Sequence, residues 1–342
     1  PPRSTLFPYT TLFRSVIDGN PTQAGVQPIF LTNDLLQRAR QRYVERGTRA
    51  QRDYDGYYPS LNTSFSVSDQ IVVRAAYART IGRPNISSIV PSATFTEPTV
   101  AAPTITVTNP GLKPWTADSY DVTIETYFLK DGFGSIGVFR KNIRDFFGSV
   151  RTAATPQLLD LYGLPDDPAY LAYEIATTTN SGDARIDGFE FSYRQSLTFL
   201  PAWARGLQVF VNGTRMTLDG SRTADFTGFN PSSYAGGVNF IRGRYAIKLT
   251  CTHQGETRRG AVGSSATIPA GTYNYQDART RWSLSASYSL SRRVMFFGSV
   301  MDFNGGFNPA TLRYAPGTPE YARRQRYQEL GYYTTLGVKG TF

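Results

Sequence analysis

Apolar and polar residues alternate one by one along much of this chain. In segment 119–128, Tyr120, Val122 and Ile124 take even positions, whereas Asp121 and Glu125 take odd ones. The same period recurs in segments 189–197, 244–252 and 281–290. Successive side chains of a strand point to opposite faces, so each segment predicts a strand with one apolar and one polar face. We predict about eleven such strands from Tyr57 onward, and a short basic helix or a loop over 33–46.

The predicted strands are joined by two unlike kinds of connection. Four hairpins close through very short turns, at Ser68-Asp69, Lys130-Asp131-Gly132, Arg242-Gly243 and Ser291-Arg292. Between the hairpins lie long segments without predicted structure, 81–116, 148–183, 255–279 and 305–329. Most connections in soluble domains have about 4 to 6 residues, whereas transmembrane barrels place short periplasmic turns on one rim and long extracellular loops on the other. The chain is therefore predicted to be an all-β, transmembrane antiparallel β-barrel.

Composition agrees with a barrel and excludes a helical membrane protein. Hydrophobic residues make up 40% of the chain and aromatic residues 14%. No window approaches the roughly 18 consecutive apolar residues that a membrane helix needs. Aromatic residues concentrate near predicted strand ends, as in the girdles that Tyr and Trp form at a bilayer interface. These residues are Tyr57, Tyr58, Tyr77, Tyr120, Phe128, Trp282 and Tyr332. The alternative interpretation is cross-strand aromatic packing in a soluble β-sandwich.

The net charge of +10 does not change the prediction of a membrane barrel. Apart from a run of arginines between Arg38 and Arg52, the basic residues are spread through strands and loops. This distribution indicates a cationic lumen and rim, not a nucleic-acid partner.

No catalytic or metal-binding constellation is visible in the sequence. Cys251 and His253, each the only residue of its type, share one face of a predicted strand and have no third ligand in reach. Asp166 and Asp167 lie in a Pro-flanked segment and are interpreted as turn formers. We therefore predict that the protein is not an enzyme and uses no cofactor or metal.

The N-terminal and C-terminal segments of the chain lead to different predictions. Residues 1–15 contain an imperfect duplication and lack the basic and apolar regions of a signal peptide, so we interpret them as an artefactual scar. Residues 16–56 are expected to form a partial strand and extracellular loop region, and residues 57–342 the barrel. The final strand ends on Phe342 and resembles the C-terminal signal that the barrel insertion machinery recognises in bacterial outer-membrane proteins. The residues of this predicted assembly signal are Tyr332, Leu336, Val338 and Phe342, and Gly340 departs from the usual bulky apolar residue.

Four ordered motifs resemble TonB-dependent receptors of the bacterial outer membrane. YYPSLNTSFSVSDQIVVRAAYARTIGRPN, residues 57–85, is similar to a Pro-Ser-Leu-Asn strand followed by a strand that ends in Arg-Pro-Asn. NPGLKPWTADSYDVTIETYF, residues 109–128, resembles that family's Asn-Pro-x-Leu-Lys-Pro motif, with Trp115 where Glu is common. Residues 138–147, VFRKNIRDFF, and 184–194, ARIDGFEFSYR, match two further family strands.

The resemblance implies a specific role for the chain. It implies the C-terminal half of a 22-stranded barrel that imports a siderophore, cobalamin or an oligosaccharide. Import would be energised by TonB, acting through an N-terminal plug for which this sequence has no candidate. Outer-membrane lipid, the ligand and the barrel insertion machinery are the other implied partners. Ligand contacts are expected from aromatic and arginine residues of the long loops, namely Trp115, Tyr162, Tyr170, Arg258, Arg259, Tyr273, Tyr275 and Tyr314.

Three alternatives to a receptor stay open at this point. A passive porin would have the same rims and would conduct ions without gating. Another complete barrel of ten to twelve strands, such as an outer-membrane hydrolase, would need a Ser partner for His253, and none is apparent. A soluble β-sandwich binding module would stay monodisperse without detergent.

Overall fold

The computed structural model describes residues 34–40, 54–96, 103–128, 131–161, 168–220, 226–262, 267–269, 271–304, 307–329 and 331–340. The predicted scar segment 1–15 and most of 16–56 lie outside these residues. Within 33–46, residues 34–40 are described and form a short helix, α1 (Leu35–Arg40). Among the described residues, none of the helices combines the length and apolar character that crossing a bilayer requires.

Strands dominate the described part of the chain. They are β1 (Ser60–Ser68), β2 (Ile71–Gly82), β3 (Ala93–Phe95), β4 (Thr104–Val107), β5 (Trp115–Phe128), β6 (Gly132–Ala153), β7 (Glu174–Ser196), β8 (Leu207–Gly220), β9 (Ser232–Arg242), β10 (Tyr245–Gln254), β11 (Thr257–Ala261), β12 (Tyr273–Gln276), β13 (Arg279–Ser289), β14 (Val294–Met301), β15 (Phe307–Tyr314), β16 (Arg324–Glu329) and β17 (Tyr333–Gly340). The other helices are α2 (Ile86–Ile89), α3 (Pro156–Leu161) and two 3-10 helices, Pro168–Ala172 and Glu320–Ala322.

The main sheet contains thirteen strands, and eleven of them form one continuous path in which every neighbour is antiparallel. Their order is β1-β2-β5-β6-β7-β8-β9-β10-β13-β14-β17. This confirms the predicted all-β architecture. The antiparallel path has the predicted eleven strands, and the described residues form six further strands outside that path. Within the described part of the chain the sheet does not close, since β1 and β17 each pair with one strand only. Because eleven is odd, β1 and β17 run in the same direction.

The strand register assembles the alternating residues into one apolar face across the whole sheet. Residues that lie directly opposite on paired strands share a face. One such row runs through Val73, Ile124, Ile136 and Phe191. A second row runs through Val238, Leu249, Leu284 and Val300. The opposite face is polar, with an ion pair between Arg74 Nε and Glu125 Oε1 at 2.9 Å.

Aromatic side chains border the apolar face in two rows. The row near the short turns contains Phe128, Tyr193, Tyr245, Tyr288 and Phe296, and the row near the long connections contains Tyr77, Tyr120, Tyr234, His253 and Trp282. Along β10, Tyr245 and His253 are about 26 Å apart at roughly 3.3 Å per residue. This spacing suits the apolar band of a membrane barrel, about 25 Å tall.

The environment of His253 agrees with an ordinary outward-facing residue. Its ring stacks on Tyr234 at 5.8 Å, and Nδ1 lies 2.9 Å from Thr280 Oγ1. Within the described ranges, His, Cys, Asp and Glu side chains form no group able to hold a metal ion.

Two of the four predicted short turns are displaced by one residue, and the set of predicted short connections is incomplete. Strand pairing includes Ser68 and Arg242, so these turns lie one residue later than predicted, at Asp69-Gln70 and Gly243-Arg244. Gly243 takes the left-handed conformation that such a tight turn needs, with φ +56°. A fifth connection on this side, between β7 and β8, was not predicted. We call this side the short-turn rim; its connections are 69–70, 129–131, 197–206, 243–244 and 290–293.

The prediction that the long connections lack structure is wrong. They lie on the opposite side, the long-loop rim, at 83–114, 154–173, 221–231, 255–278 and 302–332. β6 and β7 extend into predicted loop 148–183, and β3 and β4 lie in predicted loop 81–116, where β4 pairs in parallel with β7. β11, β12, β15 and β16 form a separate four-stranded sheet, the outer sheet. In the described parts of these connections, strands pair with each other, and residues of the first two connections bury a small core that includes Ile105, Leu159 and Tyr170.

Candidate ligand-capture surface on the long-loop rim

The outer sheet brings several predicted ligand residues onto one face. β12 pairs with β11 on one side and β15 on the other. The register sets Tyr273 opposite Tyr314, and Tyr275 opposite both Arg258 and Leu312. Because directly opposite residues share a face, four predicted residues lie together. This group, Arg258, Tyr273, Tyr275 and Tyr314, is called the Arg-Tyr face below.

Ring stacking and cation–π contacts order the Arg-Tyr face. The rings of Tyr275 and Tyr314 are nearly parallel, with centroids 4.0 Å apart and an interplanar angle of 10°. The Arg258 guanidinium lies 4.9 Å from the centroid of Tyr273, and that of Arg323 lies 4.9 Å from the centroid of Tyr314. Aromatic rings attract cations at this range, so these contacts restrict the positions of both the guanidinium groups and the rings. The result is an aromatic surface flanked by two positive charges.

The hydroxyl of Tyr314 is fixed by a carboxylate. It donates a hydrogen bond to Glu256 Oε1, at the entry to β11. Partial burial, together with this hydrogen bond, raises the pKa of Tyr314 well above its usual range. Burial likewise raises the pKa of Tyr275. Both hydroxyls are therefore protonated at neutral pH.

Arg259 lies on the back of the outer sheet. Neighbouring residues of a strand point to opposite faces, so Arg259 is directed away from Arg258. It is exposed and donates to the side chain of Gln276. Arg313 lies on the same side and donates from Nε to Asn274 Oδ1 at 3.0 Å.

Trp115 and Tyr170 lie in apolar clusters away from the Arg-Tyr face. Trp115 packs on Phe146, with ring centroids 5.8 Å apart, beside the buried residues Ala117 and Ile143. Tyr170 is only 1% exposed and packs on Tyr173 within a core between α3 and β4. A side chain buried to this degree supports the loops and offers no surface to a ligand in this conformation. Tyr162 lies outside the described residues.

Two further residues that were not predicted complete this surface. Arg323 caps the ring of Tyr314, and Glu256 orients its hydroxyl. Arg323 heads a short basic run with Arg324 and Arg326, which was a usable signal. Glu256 gave none, since its contact with Tyr314 depends on pairing between distant strands.

The Asn-Pro-x-Leu-Lys-Pro motif has a structural role in this fold. Asn109 accepts from the Gly111 amide at 2.9 Å and donates to the Thr178 carbonyl at 3.0 Å. Asn180 accepts from the Lys113 amide at 2.8 Å and donates to the Lys113 carbonyl at 2.8 Å. Two asparagines thus tie the motif to the extended part of β7.

Two residues of the predicted assembly signal, Leu336 and Val338, lie on the apolar face of the main sheet. Leu336 and Val338 in β17 are opposite Gly298 and Phe296, and both are exposed, as is Tyr332. Phe342 lies outside the described residues. Recognition of these residues by the insertion machinery stays a prediction.

Comparisons with known proteins agree with this architecture. The model of the family described as TonB dependent receptor-like, beta-barrel, matches residues 32–334. A ferric enterobactin receptor variant of Pseudomonas aeruginosa, solved with enterobactin, superposes with a TM-score of 0.59 and 16% identity over 84% of this chain and 41% of that one. The siderophore receptor PirA of Acinetobacter baumannii gives a TM-score of 0.55 and 16% identity, over 84% and 41%. PirA of Pseudomonas aeruginosa gives 0.52 and 16%, over 84% and 42%.

The chain spans about two fifths of the length of these solved structures. At such low identities the similarity shows the fold. A comparison with curated proteins gives no match.

Proposed function

The chain belongs to the TonB dependent receptor-like β-barrel family of the bacterial outer membrane, and on this premise we propose that it forms part of a receptor that transports a scarce or large ligand. Transport is energised by TonB acting through a plug domain inside the barrel. The outer sheet contributes to ligand capture on the extracellular side, and the polar face of the main sheet lines the path of entry. The protein is a transporter and performs no reaction on its cargo.

Among a siderophore, cobalamin and an oligosaccharide, we favour an anionic ferric siderophore. The observation that carries this choice is the Arg-Tyr face together with the neighbouring Arg323, where stacked tyrosine rings lie beside two guanidinium groups. Arg258 and Arg323 outnumber the single carboxylate of Glu256 in this group. A net charge of +10 also draws anions toward the chain. Of the similar solved structures named above, one is described as a ferric enterobactin receptor and two as siderophore receptors.

The chemistry of the surface suits a flat, negatively charged ligand. Tyrosine rings offer large contact areas at a low cost in conformational entropy. Arginine guanidinium groups donate paired hydrogen bonds to oxyanions. The protonated hydroxyls of Tyr275 and Tyr314 add neutral donors. Each group can act without a change in protonation near neutral pH.

The proposal is tested by equilibrium binding of ferric enterobactin to the purified chain in detergent. Arg258→Gln and Tyr275→Ala are each expected to weaken binding about tenfold, since each removes a cation or a ring from the contact. Matched controls are Arg326→Gln and Tyr321→Ala, which change exposed residues outside the Arg-Tyr face. These controls should bind like the unmodified chain.

Two results would contradict the proposal. Binding of a neutral oligosaccharide in preference to ferric enterobactin would overturn the ligand class. Steady, ungated conductance in planar bilayers would support a passive pore and overturn the receptor role.

A further inference from the structure

Four arginines cluster at two neighbouring turns of the short-turn rim. Arg242 ends β9 and Arg244 lies in the turn that follows, whereas Arg292 and Arg293 lie between β13 and β14. β10 and β13 are paired, so the two turns are adjacent. The Arg244 guanidinium donates to the carbonyl of Leu290 at 3.2 Å, which joins the turns directly.

These arginines retain most of their hydrogen-bonding capacity. All four are exposed, and within the described residues none lies within ion-pair distance of a carboxylate. Arg242 donates from Nη1 to the Trp203 carbonyl at 2.9 Å, and Arg244 makes the bond to Leu290. A guanidinium has five N–H donors, so each has several left for an oxyanion. This part of the rim is a concentrated positive patch.

An open apolar furrow of about 620 Å³ begins beside this patch. In the strand register, Ile247, Ala286, Gly298 and Leu336 follow each other across four strands. Two small residues lie between two large ones, so the apolar face is indented there. Tyr245 and Tyr288 line both this furrow and a second depression that contains Arg242 and Arg244. The furrow and the positive patch are therefore continuous.

We propose that this rim binds a glycerophospholipid with an anionic headgroup. The inference rests on the outer-membrane location of the family, which places the apolar face against lipid. An acyl chain lies in the furrow between Ile247 and Leu336. The phosphate lies against Arg242 and Arg244, where guanidinium groups bind phosphate oxygens in pairs. The arginines favour a negatively charged headgroup, and the furrow favours an acyl chain. A glycerophospholipid with an anionic headgroup has both groups.

The arrangement is particular to this part of the rim. The β1–β2 turn contains Asp69 and no basic residue, in the β5–β6 connection Asp131 offsets Lys130, and the β7–β8 connection carries one arginine, Arg205, against four in the patch. Anionic lipid is therefore expected at one place along the rim and not as an even ring around it.

Native mass spectrometry of the full chain in detergent tests the proposal. Phosphatidylglycerol is titrated against phosphatidylcholine, which has the same chains and no net charge. We expect preferential retention of phosphatidylglycerol. The double variant R242Q/R244Q should weaken that retention about tenfold or more, as expected for removing two basic groups from an anionic headgroup. Ala286→Leu, which fills the furrow without touching the arginines, should also weaken it.

Controls separate a lipid site from general charge attraction. The double variant R324Q/R326Q removes the same charge from the long-loop rim and should leave retention unchanged. Migration on gels with and without heating verifies that each variant folds. Equal retention of the two lipids, or equal losses from both double variants, would overturn the proposal. Displacement of the lipid by free glycerol phosphate would show a simple anion site and overturn the role of the furrow.

This test is independent of ligand capture on the other rim. Failure to bind ferric enterobactin leaves lipid selectivity unaffected, and loss of lipid selectivity leaves ligand binding to be measured separately.

Discussion

At the scale of single residues, Tyr314 connects three parts of the outer sheet. Its ring stacks on Tyr275 of β12, the Arg323 guanidinium covers it, and its hydroxyl donates to Glu256 beside β11. Ionisation of the hydroxyl would place two negative charges side by side and end the hydrogen bond. Because the pKa of Tyr314 is raised, its hydroxyl stays protonated over the physiological pH range.

The raised pKa gives a prediction for pH dependence. The folded-state pKa of Tyr314 exceeds the ordinary value of about 10, so its contribution to stability is complete below pH 10 and is lost as pH rises through the folded-state pKa. In absorbance titrations, tyrosinate formation of the unmodified chain should include a late component that is missing from Tyr314→Phe. Loss of an early component in that variant would contradict the prediction.

Gly82 gives a second prediction at this scale. Gly82 is paired with Trp115, and the indole occupies the space where a Cβ at position 82 would lie. Gly82→Ala should therefore displace Trp115 and destabilise the chain by about 1 to 3 kcal/mol. Near-ultraviolet circular dichroism and urea unfolding measure the two effects. Gly260→Ala is the control, since the space around that position is open.

At the scale of elements, β6 and β7 form a hairpin that extends far beyond the membrane. They contain 22 and 23 residues, whereas about 9 to 11 residues cross a bilayer. Their pairing shifts register between Ile143 and Phe146, where Asp145 has a φ of 57°. Asn180 donates to the Asp145 carbonyl at 2.7 Å and so fastens this irregular point.

Removal of the Asn180 side chain should loosen the base of the projecting hairpin. Asn180→Ala removes the hydrogen bonds to Lys113 and Asp145, which we expect to lower the free energy of local opening by about 1 to 3 kcal/mol. Hydrogen exchange should become faster at the Lys113 amide and its neighbours. Asn212→Ala in β8 changes an exposed amide and should leave exchange in that segment unaltered. Equal exchange rates in the Asn180 variant and the unmodified chain would show that the asparagine does not hold the motif.

Elements also show what the sequence alone could predict. Strands such as β5, β10 and β13 have one lipid-facing and one polar side, so their alternation is clear and they were predicted. The short strands of the outer sheet carry no such contrast, because aromatic and charged residues occupy their faces. The two-residue spacing of Tyr273 and Tyr275 was visible, but their approach to Tyr314 depends on long-range register. The same limit applies to Tyr170, whose burial depends on the packing of α3 against β4.

At the scale of the whole molecule, a single apolar surface runs across eleven strands. Its central row includes Leu284, which lies between Leu249 and Val300. A charge there should face hydrocarbon. Leu284→Arg is therefore expected to destabilise the membrane-inserted state by about 2 to 4 kcal/mol, whereas Ser283→Arg on the polar face should have a much smaller effect. Urea unfolding from lipid vesicles compares the variants, and similar losses for both would mean that the two faces are not sorted as described.

The shared direction of β1 and β17 restricts what can complete the ring. Two copies of the described eleven-stranded path, placed side by side with their long loops on the same side, would bring β17 of one against β1 of the other as parallel strands. Identical halves therefore cannot close the ring without breaking the antiparallel rule at both seams. A segment that keeps the rule must itself contain an odd number of strands, beginning and ending on strands that run the opposite way. Among the described strands, parity thus requires that the completing segment differ from this eleven-stranded path.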